Sequence, residues 1–62
     1  MASLTAKELT AIEDQLAIEQ NVISKYKMYS GAAVDSVIKD KCDCIAKKHQ
    51  KHYDMLVSQL QG

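Results

Sequence analysis

An all-α fold, an antiparallel helical hairpin that pairs with a second copy into a four-helix bundle, follows from three observations. The chain has no Pro, Trp or Phe and is rich in Ala, Leu, Lys, Gln and Glu, the mix that favours helix. Two long stretches repeat their apolar residues at steps of three and four, and neither shows the alternation of a strand. A single break, Ser30-Gly31, divides the 62 residues into halves of similar length. A connection this short makes the two helices antiparallel neighbours.

The first helix begins with a readable start signal. Thr5 as N-cap and Glu8 three residues later form a capping box, and Leu4 and Leu9 occupy the positions of a hydrophobic staple. Helix one is therefore expected over about residues 6–30. Its stripe runs Leu9, Ile12, Leu16, Glu19, Ile23 and Tyr26, the alternating spacing of left-handed bundle packing. Ile18, Val22 and Tyr29 widen the apolar face on one side, so the helix touches more than one neighbour. Glu13, Asp14, Lys25 and Lys27 lie off the stripe, on a solvated face.

Gly31 is expected to end helix one by adopting the left-handed conformation that glycine tolerates best. Helix two is expected over about residues 33–60, with its start open between Ala32 and Ser36; in the second case Asp35 is its N-cap. Ile38, Cys42, Ile45, His49, Leu56 and Leu60 form its stripe, with His52 at the edge. Lys47, Lys48 and Lys51 fall on the outer side.

Composition excludes several function classes. Eight basic and eight acidic residues cancel, leaving no positive field to attract nucleic acid. No apolar run is long enough for a membrane span or a secretory segment, so an intracellular protein is expected. Cys42 and Cys44, two apart on a helix, point in nearly opposite directions and can neither pair nor share a metal there. Cys42 reads as a small core residue and Cys44 as a peripheral free thiol. Nothing resembles a Ser/His/Asp arrangement or a phosphate-binding glycine loop. A chain of this length buries little surface by itself, which again points to a homodimer.

The chemistry sits inside the apolar stripes. Glu19 is centred in the first and His49 in the second, positions where a core favours Leu. Folding the chain back at the turn brings Glu19 level with His49, and His52 lies one helical turn further along. A Glu facing an i, i+3 pair on the next helix is the half-site of a metal centre in a helix bundle. Glu19, His49 and His52 are therefore the candidate ligands, with Tyr26 and Tyr53 as candidate outer partners. Two-fold pairing would supply up to two carboxylates and four imidazoles. The competing reading is a buried polar cluster that fixes helix register without any metal.

Glu19-x6-Tyr26 in helix one, followed by a ligand-x-x-His pair at His49 and His52, resembles half of a ferritin-like or rubrerythrin-like protein. The LTxxE start, the ExxxxxxY segment and a second helix carrying a polar cluster are also similar to the spore coat protein F family of endospore-forming bacteria. This resemblance covers nearly the whole chain. It implies a ferritin-like four-helix bundle, sporulation as the context, the spore coat as the location and other coat proteins as partners. The chain departs from the ferritin-like pattern at His49, where that pattern has the Glu that bridges two irons. What remains is mainly imidazole, which suits Zn, Cu, Fe or Ni better than a carboxylate-bridged pair.

Three expectations follow. One is a self-associating structural protein that holds a transition metal, Zn, Fe or Mn, between hairpins. A second is a metal-dependent oxidoreductase of the rubrerythrin or manganese catalase type, and a third is a metal-free dimerisation adaptor.

Overall fold

A computed structural model describes residues 4–61. It contains two helices, α1 (Ala6–Ala32) and α2 (Ser36–Gln61), packed against each other as a hairpin. The start of α1 is the capping box: Thr5 Oγ1 accepts from the Glu8 backbone N–H at 3.1 Å, and Glu8 Oε1 accepts from the Thr5 N–H at 3.1 Å. Two donors that the helix itself cannot satisfy are thereby paired.

The turn differs from the sequence expectation. Gly31 does not end α1 in a left-handed conformation; it lies inside the helix, which runs on to Ala32 rather than stopping near residue 30. The chain leaves the helix at Ala33 through extended backbone (φ −71°, ψ 130°), with the Ala33 N–H donating to Ser30 O at 3.3 Å. Asp35 settles the start of α2. Its Oδ1 accepts from the Val37 and Ile38 N–H groups at 2.8 and 3.2 Å, so α2 begins at Ser36 rather than near residue 33. The reversal thus takes only residues 33–35, and Gly31 does not supply it.

Glu19, Ile23 and Ser30 of α1 pack into the seam with Cys42 and Ala46 of α2. Ile23, Ser30, Cys42 and Ala46 belong to the half of the hairpin nearer the turn, and Glu19 lies at the midpoint of α1. The α2 seam is rotated from the expected stripe: Ala46 is buried, whereas Ile38 and Leu60 are exposed. Cys42 is buried and Cys44 exposed, both as free thiols. Lys47, Lys48 and Lys51 are exposed, as are Glu13, Asp14, Lys25 and Lys27.

The molecule is a slab measuring 46 × 17 × 11 Å. Its radius of gyration is 14.5 Å, against about 11 Å for a compact chain of this length. It exposes 4837 Å², where a compact chain of this size would expose roughly 4000 Å². Helical geometry divides the surface into two broad faces. One carries Ile18, Val22, Tyr29, Ile38, Ile45 and Leu56, and the other carries Gln20, Ser24, Lys27, Asp43, Lys47 and Gln50. The hairpin thus buries one edge of each apolar stripe and leaves the rest open on one side. Neither helix is long and apolar enough to cross a membrane.

Candidate metal centre

Glu19 is the middle residue of α1, and His49 and His52 lie just past the middle of α2. The short turn fixes the relative height of the helices, and it brings the three side chains together as expected. One ligand atom from each lies within 4.8 Å of the others. Burial is graded across the cluster: the side chains of Glu19, His49 and His52 are 8, 29 and 51% exposed. Glu19 is at the back and His52 at the mouth.

Both imidazoles turn the same nitrogen toward the same oxygen. His49 Nδ1 lies 2.6 Å from Glu19 Oε2, and His52 Nδ1 lies 3.8 Å from it. The two rings meet edge to face, with centroids 5.4 Å apart and planes at 81°. An ionised carboxylate can only accept, so the hydrogen of the short bond sits on His49 Nδ1. That bond holds the Glu19 carboxyl below the usual glutamate range; burial opposes the shift, and a bond from Gln15 reinforces it.

Gln15 is the residue that the sequence reading missed. Its Nε2 donates to Glu19 Oε1 at 3.0 Å, leaving Oε2 for the histidines. The signal was available, because Gln15 and Glu19 are four apart on one helix face. The tyrosines proposed for this outer role do not fill it. Among the described residues Tyr26 and Tyr53 make no hydrogen bond to the cluster, and Tyr26 instead packs edge to face on Tyr29 at 5.6 Å.

The cluster opens toward the apolar broad face. A shallow cavity of about 230 Å³ there is lined by Gln15, Glu19, His52, Met55, Leu56 and Gln59. Two imidazoles, one carboxylate and an open mouth can bind a divalent transition metal with positions to spare. Comparison of the chain with family models, with curated proteins and with solved structures finds no match.

Proposed function

We propose that this chain is a self-associating helical protein that holds a divalent transition metal at Glu19, His49 and His52. In this reading a second copy covers the apolar broad face and completes a four-helix bundle of ferritin-like form. The observation that carries the metal site is the convergence of three ligating side chains within 4.8 Å, at the middle of a seam that otherwise favours apolar residues. Two imidazoles to one carboxylate favour Zn over Mn, and Fe is the remaining candidate. The exposed area supports self-association: the excess over a compact chain is roughly 800 Å², about what each partner of a stable interface buries. The LTxxE start and the ExxxxxxY segment support a structural role akin to that of spore coat components. An oxidoreductase of the rubrerythrin or manganese catalase type needs more carboxylate than the single Glu19 each chain brings to the cluster.

One observation favours a metal-free adaptor as the second reading. Gln15 and His49 satisfy both Glu19 oxygens by themselves, and no buried side-chain polar atom among the described residues lacks a partner. Calorimetric titration of tag-free protein with Zn, Fe(II) and Mn at neutral pH separates the two readings. Binding that is lost in His49→Ala and kept in Lys48→Ala supports the metal site, and no binding leaves the adaptor. Light scattering tests the pairing, and a folded monomer at micromolar concentration would defeat it.

A further inference from the structure

We infer that each chain by itself forms an open three-donor site, with Glu19 Oε2 and the Nδ1 atoms of His49 and His52 on one divalent ion. The position left on that ion takes a small monovalent anion from the cavity beside Met55 and Leu56. The inference rests on the metal-binding reading above and assigns the donor atoms and the ligand class of that site. Both Nδ1 atoms lie toward Glu19 Oε2, at 2.6 and 3.8 Å. Donors on one tetrahedral ion with bonds of about 2.0 Å stand about 3.3 Å apart, so each separation is within about 1 Å of what the ion needs. Gln15 donates to the other carboxylate oxygen, Oε1, at 3.0 Å, which commits Glu19 to a single donor atom. The ion takes the place of the hydrogen between His49 and Glu19, and the neutral His49 ring then carries its hydrogen on Nε2.

The cavity decides what completes the shell. Of the three donor residues, Glu19 and His52 line it, together with Gln15, Met55, Leu56 and Gln59, and its volume is about 230 Å³. None of these last four can ionise, and the Gln15 amide is already committed to Glu19. The Met55 thioether is a soft donor, poorly matched to an ion held by imidazole and carboxylate. The fourth donor therefore comes from outside the chain. A divalent ion with one carboxylate and two neutral imidazoles keeps a net positive charge, and such a charge beside Met55 and Leu56 is costly until it is paired. A small monovalent anion supplies both the missing donor and the missing charge.

The test titrates the tag-free full chain with Co²⁺, whose visible spectrum reports its shell, and then adds azide as the anion. The expected result is one Co²⁺ per chain, with bands that azide shifts saturably and that acetonitrile, a neutral probe of similar size, leaves unchanged at the same concentration. Nitrogen NMR of the Zn²⁺-loaded chain should place the metal on Nδ1 of both rings. Met55→Glu, at an exposed position where folding is not at risk, sets a negative charge beside the cavity and should weaken azide at least tenfold. One Co²⁺ per two chains, metal on Nε2, bands that azide does not shift, or equal azide binding in Met55→Glu overturns the inference and leaves metal binding intact. Absence of any Co²⁺ or Zn²⁺ binding removes the metal-binding reading itself, and this inference with it.

Discussion

The half of the seam next to the turn and the half at the open end are built differently. Of the five buried residues among those described, Ile23, Ser30, Cys42 and Ala46 lie in the turn half and Glu19 lies at the boundary. The open half has bulkier apolar side chains, yet Ile12, Leu16 and Leu56 are only half-buried and Leu9 and Leu60 are exposed. Small residues together with Ile23 fill the first half of the seam, whereas the larger side chains of the second stay partly or wholly exposed. Glu19 and His49 sit where the two regimes meet. The difference teaches that the cohesion of a single chain is concentrated near the turn.

The largest expected effect breaks the turn half. Ile23→Asp places an unpaired charge at a buried position and should cost about 3 kcal/mol or more, enough to unfold so small a chain. Leu60→Asp, on the exposed end, should cost less than about 1 kcal/mol. Urea unfolding followed by circular dichroism measures both; equal losses would mean that the two halves are not distinct. Amide hydrogen exchange should likewise be slower across residues 20–46 than across 50–61.

Acid should act on the boundary. The folded-state carboxyl of Glu19 is lowered chiefly by its bond from His49. A lowered carboxylate contributes stability that is present above its unfolded value, about 4.3, and is lost as pH falls through the folded value. Glu8, lowered by its bond to Thr5, adds a contribution of the same sign at the start of α1. The urea midpoint of wild type should therefore fall between pH 6 and pH 3, and Glu19→Gln should flatten most of that dependence. An unchanged slope in the variant would show that the bond with His49 contributes nothing to folding.

The contrast between the halves also explains which features could be read from the sequence. The helices, the capping box and the level meeting of Glu19 with His49 follow from local chemistry and a fixed rise per residue, so they were legible. Burial of Ala46 was not, because apolar periodicity gives weight to large side chains and passes over a small one beside the stripe. Gln15 was overlooked for a related reason. A polar residue beside a stripe looks solvated until its neighbour at i+4 turns out to be a buried carboxylate.

A smaller effect belongs to the caps. Thr5→Ala removes the side-chain acceptor at the loosely packed end, and Asp35→Ala removes the one at the turn. Each should cost about 1 kcal/mol. Their consequences should differ in kind. Loss of the Thr5 cap should fray only the first turn of α1, seen as faster exchange at Glu8 and Leu9. Loss of the Asp35 cap should loosen the start of α2, where the closely packed half begins. Faster exchange reaching Cys42 in the Thr5 variant would contradict the division.

The smallest effect is a gain, at a position where the sequence was misread. Gly31 was expected to need a left-handed backbone, in which case Gly31→Ala would be strained. It is instead helical, and a Cβ added there meets no atom within 4 Å. Alanine exceeds glycine by up to about 1 kcal/mol inside a helix, and by less in a last turn, partly because it restricts the unfolded chain. Gly31→Ala should therefore raise stability by about 0.5 kcal/mol, seen as a higher urea midpoint at unchanged slope. The gain should appear mainly in the turn half, as slower exchange at the amides of Ser30 to Ala33. A loss of stability would mean that Gly31 leaves the helical conformation in solution and that the turn is made as the sequence first suggested.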